Sequence, residues 1–169
     1  NLITDPQMEF TELWAGAGVG PGSGWESTII PPGPTHRSYR MSPYTSAQSN
    51  MSLYMAQPRQ EITLANGSKS WRYGYPVTPG DYYTAQSLVY LDGPVNPLAN
   101  TGNAIDQRIY FYNDAGSLMG GGVDNVSSGA ISRADCVANT WMRVGGKPVK
   151  VPEGAARISV RLTYYVATN

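Results

Sequence analysis

Asp106, Arg108, Tyr110 and Tyr112 occupy alternate positions of the segment 105–112, IDQRIYFY. In an extended strand alternate residues share one face. Ile105, Gln107, Ile109 and Phe111 then form the opposite face, and its apolar content marks it as the core side. The first row is therefore expected to point outward. It combines a carboxylate acceptor, a planar charged donor and two flat rings. A sugar calls for both kinds of group, because its C–H faces pack on aromatic rings and its hydroxyls need fixed hydrogen-bond partners. Gln86 and Tyr90, on the outward face of a strand over 81–92, extend the same chemistry. Trp71 and Tyr73 share a face with Tyr75, opposite Arg72 and Gly74, and fit either a core or an exposed platform. Trp141, beside Arg143 on its strand face, is equally open. The alternative for the 105–112 row is a solvated β-surface of ordinary Tyr content.

Catalytic chemistry has less to work with. His36 is the only histidine and sits in Pro-Gly-Pro-Thr-His-Arg, with no nucleophile signature near it. The Gly-rich run 16–24 satisfies G-x-G-x-x-G in no frame and opens no helix, so it does not read as a phosphate cradle. Asp106, Asp114, Asp124 and Asp135 are single acids, whereas glycoside hydrolysis needs two carboxyl groups about 5–10 Å apart across a cleft. No such pair stands out, and the chain is not expected to be an enzyme. Cys136 is the only cysteine, which excludes an internal disulfide and a thiolate zinc cluster. The sequons at Asn50, Asn66 and Asn125 matter only in a eukaryotic secretory setting.

Composition narrows the class. The 169 residues hold twelve Lys+Arg and twelve Asp+Glu, and only 14% are charged. The cations are scattered, without the basic face of a nucleic-acid binder. With 41% apolar and 11% aromatic residues the chain is not of the disordered class. No apolar run approaches the roughly 20 residues of a membrane span, so no insertion into a membrane is expected. Nineteen Gly and thirteen Pro punctuate the sequence and leave little room for long helices. Twelve Tyr and four Trp stand against two Phe. Such enrichment in Tyr suits a binding surface, since a rigid amphipathic ring gives contact area at low entropy cost. It also suits a small β-sandwich, whose strands favour Tyr. The sequence opens at Asn1 with neither an initiator Met nor a charged-then-apolar signal peptide, and is expected to be a processed product or an excised domain.

The elements that must carry these residues read as strands. Over 81–92, Tyr83, Ala85, Ser87, Val89 and Leu91 alternate with Tyr82, Thr84, Gln86, Leu88 and Tyr90. Val77-Thr78-Pro79-Gly80-Asp81 before it is a turn signal, and Asn113-Asp114-Ala115-Gly116 closes the 105–112 strand. Over 155–166, Ala156, Ile158, Val160, Leu162 and Tyr164 are expected inward, with Arg157, Ser159, Arg161, Thr163 and Tyr165 outward. Further strands are expected over 50–56, 60–65, 69–76, 126–133 and 140–151, and a short one within Asn1–Phe10. The stretch 14–36 is too rich in Gly and Pro for regular structure. Eight or more short strands with turns between them predict an all-β fold, an antiparallel β-sandwich of jelly-roll type, in a single domain over 1–169.

Four motifs in order add a resemblance. Asn1-Leu2-Ile3-Thr4-Asp5-Pro6-Gln7-Met8-Glu9 resembles an N-L-x-x-N-x-x-F-E opening, and Gly24-Trp25 the G-W that follows it. Val77–Thr84 resembles V-x-P-G-x-x-Y-T, and Trp141 with Val151-Pro152-Glu153-Gly154-Ala155 resembles W…V-P-x-G-A. Together they make the chain similar to the non-catalytic carbohydrate-binding modules of the jelly-roll group, families four, nine and twenty-two. The resemblance implies a two-sheet sandwich that binds glycan on an exposed face through Tyr, Trp and polar side chains. It also implies a structural Ca²⁺ with Glu9 among its ligands, and no other cofactor. The chain departs from the pattern at its end, where Tyr164–Asn169 stands in place of an acidic pair. Similar openings and P-G-x-x-Y-T cores occur in minor tail proteins of phages that infect actinobacteria. The expected setting is thus extracellular, on a virion or secreted, with a cell-wall or cell-surface glycan as partner. Display as a homo-oligomer, such as a trimer within a larger tail protein, would supply avidity. Two rival readings remain: a structural or assembly domain of the same fold, and a polysaccharide-degrading enzyme on a jelly roll.

Overall fold

The structure is a computed structural model that describes residues 14–17, 24–26, 38–40, 51–55, 59–92 and 103–165. Its strands in chain order are β1 (Trp14–Ala17), β2 (Gly24–Glu26), β3 (Ser38–Arg40), β4 (Met51–Met55), β5 (Arg59–Thr63), β6 (Lys69–Tyr73) and β7 (Tyr75–Pro76). They continue as β8 (Tyr82–Tyr83), β9 (Gln86–Tyr90), β10 (Asn103–Tyr112), β11 (Asn125–Ser132), β12 (Trp141–Gly145), β13 (Val149–Lys150) and β14 (Arg157–Tyr164). One 3-10 turn spans Arg133–Asp135, and among the described residues no helix is long and apolar enough to cross a membrane. All described pairings are antiparallel.

The larger sheet runs β1-β4-β14-β10-β11, with β7 against the start of β14. A second layer holds the pairs β12–β9 and β13–β8, while β2–β3 and β5–β6 form separate two-stranded ribbons. Apart from β10 and β11, neighbours in the larger sheet are not consecutive in sequence, as the jelly-roll expectation requires. The fold is an all-β antiparallel sandwich.

The core lies between the two layers. From the larger sheet come Leu53, Ile105, Ile109, Phe111, Ile158 and Leu162; Ala85, Val89, Val144, Val149 and Val151 meet them from the other side. Two buried polar side chains tie the layers as well. Gln107 on β10 accepts a hydrogen bond from Ser87 Oγ and donates one to the Arg161 carbonyl at 3.1 Å. The Ser128 hydroxyl accepts from the Ala85 N–H at 3.1 Å and lies 2.8 Å from the Lys147 carbonyl. Ser128 reaches across because β11 bulges there: Gly129 opposes Gln107 but Ser127, not Ser128, opposes Arg108. The bulge needs a glycine, since Gly129 has φ +143 and a Cβ on it would sit 2.9 Å from the Gly145 Cα.

Most expected strands are found, with breaks inside three of them. The 69–76 strand divides at Gly74, whose φ is +86 and which lies so close to Ile158 that a Cβ would strike its carbonyl. Tyr75 beyond the break is half-buried against the core. The 81–92 and 140–151 segments each hold two strands. Thr78 closes the expected turn with Asp81 at 3.2 Å, and Asn113 closes its own with Gly116 at 3.0 Å. One expectation fails: the breaker-rich stretch 14–36 contains β1 and β2. Their partners, β4 for β1 and β3 for β2, lie outside the window in which Gly and Pro are counted. The strand expected within Asn1–Phe10 and His36 both lie outside the described residues.

Two predictions follow from this packing. Phe111 is 1% exposed at the centre of one cluster; Phe111→Ala should cost about 3–5 kcal/mol, read from urea unfolding. Burial pushes the Cys136 thiol up from its ordinary value of 9.0, against Arg133 and with Asp135. It pushes the Tyr164 hydroxyl up from 10.0 as well, against Arg133 and with Cys136. Above about pH 9 the unfolded chain releases protons that the folded chain retains, so stability should fall as pH rises past that point. Urea midpoints between pH 7 and 10.5 check this, and Cys136→Ala should flatten the first part of the fall.

Candidate functional site

Pairing across the larger sheet fixes what shares its outer face. On β10 and β14, Asp106 opposes Thr163, Arg108 opposes Arg161, Tyr110 opposes Ser159 and Tyr112 opposes Arg157. Ser52 extends the face on β4, and Asn125 and Ser127 extend it on β11. Every one of these side chains is polar or a tyrosine, so the sheet is apolar on one side and hydrogen-bonding on the other.

This face is more enclosed than the alternation predicts. Arg108, Tyr110 and Tyr112 are half-buried, while Asp106 is 0% exposed, which corrects its expected outward, solvent-facing place. Ser52, Ser159 and Thr163 are buried too. A carboxylate taken out of water must be met by donors. Arg108 Nε donates to Asp106 Oδ2 at 2.7 Å, and Ser127 Oγ to Oδ1 at 2.6 Å. The hydrogen bond to Asp106 holds the Arg108 guanidinium above its ordinary value, against the effect of burial. Arg108 Nη1 also donates to Asn125 Oδ1. Asp106 therefore cannot touch a ligand at the surface; it fixes Arg108, which can.

The remaining members are tied down in turn. The Arg161 guanidinium lies 5.5 Å from the centre of the Tyr110 ring and its Nη1 donates to the Tyr110 hydroxyl at 3.3 Å. The Tyr112 hydroxyl lies 3.3 Å from Ser159 Oγ, and Ser52 Oγ lies 3.2 Å from Thr163 Oγ1. Arg157 Nη1 donates to the Gly74 carbonyl at 2.7 Å. The sequence signal for Arg157 and Arg161 was present, in the outward alternation of 155–166, but nothing local showed that they stand beside the 105–112 row.

The other expected site residues do not join this face. Gln86, Tyr90 and Trp141 lie on the outer side of the second layer, across the core. There Trp141 opposes Tyr90, the rings 5.4 Å apart and tilted by 53°, with exposed Gln86, Leu88 and Arg143 around them. Trp71 and Tyr73 are on β6, paired with Glu61 and Arg59; the placement of their side chains lies outside what is described. Glu9 also lies outside the described residues. Among those described, no group of three or more His, Cys, Asp or Glu side chains is placed to hold a metal ion.

No protein-family profile matches the chain, and neither does any curated protein. Solved structures do. The enzymatically active domain of tailspike protein 4 from bacteriophage CBA120 is similar over 100% of this chain, at 15% identity and a TM-score of 0.59. This chain spans 20% of that one. The C-terminal family 22 carbohydrate-binding module of Clostridium thermocellum Xyn10B aligns with 96% of this chain and 83% of its own, at 9% identity and a TM-score of 0.48. At 15% identity the likeness to the tailspike domain is one of fold alone.

The Asp106–Arg108–Ser127 arrangement generates a prediction of its own. Asp106→Asn leaves Arg108 without its carboxylate and should destabilise the fold by roughly 2 kcal/mol, the scale of a hydrogen bond to a charged group. In a double-mutant cycle with Arg108→Gln the two losses should be clearly less than additive, as measured by urea unfolding.

Proposed function

We propose that this chain is a non-catalytic glycan-binding domain whose site is the outer face of the larger sheet, around Arg108, Tyr110 and Tyr112. The observation that carries the reading is the fixing of these groups before any ligand arrives. Arg108 is held by Asp106 and Asn125, Tyr110 by Arg161 and Tyr112 by Ser159. A face that only met water would have no need of a buried carboxylate beneath it. Side chains already ordered lose little entropy on binding, which suits a ligand made of many weak hydroxyl contacts.

The absence of bond cleavage is part of the proposal. On the described strands of this face Asp106 is the only carboxylate, and it is engaged by two donors with none of its surface in water. Hydrolysis of a glycoside would need a second carboxyl group and one that reaches the sugar. The tailspike domain that shares the fold is enzymatically active, but this chain spans a fifth of it. We take the setting to be extracellular, on a phage tail or a secreted protein, with modest affinity per site raised by multivalent display.

A second reading, an assembly domain, is favoured by one observation. Leu118, Val123 and Val126 are all more than 40% exposed, and they flank the end of β10, where Leu118 bridges to Tyr112. A partner subunit seated there would cover the Tyr112 end of the row.

A glycan array probed with the wild type, with Tyr110→Ala/Tyr112→Ala and with Trp141→Ala separates these readings. Binding should be lost in the double variant, folded by circular dichroism, and kept in Trp141→Ala. The reverse pattern would move the site to the second layer. Absence of binding by the wild type, together with a mass that rises with concentration, would favour assembly.

A further inference from the structure

The ribbon of β5 and β6 turns through residues 64–68, and its tip carries Asn66-Gly67, the only Asn-Gly pair of the sequence. Two backbone hydrogen bonds close the loop. The Leu64 N–H donates to the Ser68 carbonyl at 2.9 Å, and the Gly67 N–H donates to the Leu64 carbonyl at 2.8 Å. Gly67 takes φ +80, the left-handed position that follows the turn in a three-residue hairpin loop. Asn66, Gly67 and Ser68 are all exposed, and a Cβ on Gly67 would meet nothing within 4 Å.

Ser68 meets the Asn66 side chain twice. Its N–H donates to Asn66 Oδ1 at 3.0 Å, and its Oγ donates to the same oxygen at 2.7 Å. An Asn side chain that bonds the backbone two residues on needs only the first. Two donors converging on one carbonyl oxygen draw electrons from its carbon and stand ready to stabilise an oxyanion there. A nucleophile follows directly along the chain, the Gly67 nitrogen, which no side chain shields. It is released when its hydrogen bond to Leu64 opens, and exposed loop tips open at low cost.

We propose that Asn66 is a modification site, deamidated without an enzyme through a cyclic imide that it forms with Gly67 while Ser68 holds its carbonyl oxygen. The Gly67 nitrogen forms a bond to Asn66 Cγ. The Cγ–Nδ2 bond breaks, and ammonia leaves with the proton that Gly67 gives up. Water then opens the ring at either carbonyl, so the sum is an amide and water giving a carboxylic acid and ammonia. Opening at one carbonyl yields aspartate; opening at the other yields isoaspartate, whose main chain runs through the former side chain. Aspartate keeps the oxygen that Ser68 holds, and a charged acceptor strengthens those bonds. Isoaspartate adds an atom to the main chain of a loop pinned at Leu64 and Ser68, which disturbs the pairing of Thr63 with Lys69.

Mass spectrometry of the whole chain, incubated at pH 8 and digested with trypsin at intervals, tests this in the peptide 60–69. The gain in mass from amide to acid should appear there before it appears at any other Asn, with aspartate and isoaspartate both present. Asn125, whose Oδ1 is held by Arg108, should stay intact over the same period. Ser68→Ala keeps the N–H but loses the hydroxyl, and should slow the gain about fivefold, the rate equivalent of one net hydrogen bond. Ser68→Thr should restore the wild-type rate. Gly67→Ala should slow the reaction as well, because a methyl group then crowds the attacking nitrogen. A first gain at another Asn, or aspartate without isoaspartate, overturns the route through Gly67. A rate in Ser68→Ala equal to or above that of the wild type overturns the part given to the Ser68 hydroxyl.

Discussion

A carboxylate with no surface in water governs how the larger sheet is built. Moving such a group out of solvent carries an effective penalty of several kcal/mol unless donors meet it. For Asp106 the donors come from its own strand, two residues on, and from β11. The second depends on register. Without the extra residue in β11, Ser128 would oppose Arg108 and Ser127 would turn into the core. The bulge puts Ser127 beneath the acid and releases Ser128 to hold the start of β9, so one irregularity serves both the site and the joint between layers.

β10 is thus asked to satisfy two environments at once. From Ile105 to Tyr112 its even positions form a polar lattice with β14 and β11, and its odd positions pack with Val89, Val144 and Val149. Gln107 is the exception among the odd positions, a fully buried amide that bonds to both layers. Fixing the strand from both sides is what makes its outward groups rigid. A site on a loop would not be positioned so closely.

Much of this was legible in the sequence. The alternation over 81–92, 105–112 and 155–166 gave strands and faces, and the two turns gave their ends. Period two reveals which residues share a face but not what covers it, so Asp106 was read as exposed. Nor does it reveal which sheet a strand enters. Gln86 and Tyr90 were placed beside the 105–112 row, whereas β9 pairs with β12 in the other layer. The partner of each strand is set by contacts far along the chain, as for β1 with β4, and local composition carries no record of them. The same reason hid β1 and β2 among the glycines and prolines of 14–36.

β11 ends the order of the larger sheet, and its outer edge bears backbone groups of the kind that recruit a strand from a neighbouring molecule. The bulge at Ser128 breaks the spacing of those groups, and the Lys147 N–H already takes the Ser128 carbonyl at 2.7 Å. Two copies that meet along this edge are in that way kept from zipping together. The irregularity that seats Ser127 beneath Asp106 also keeps each copy separate.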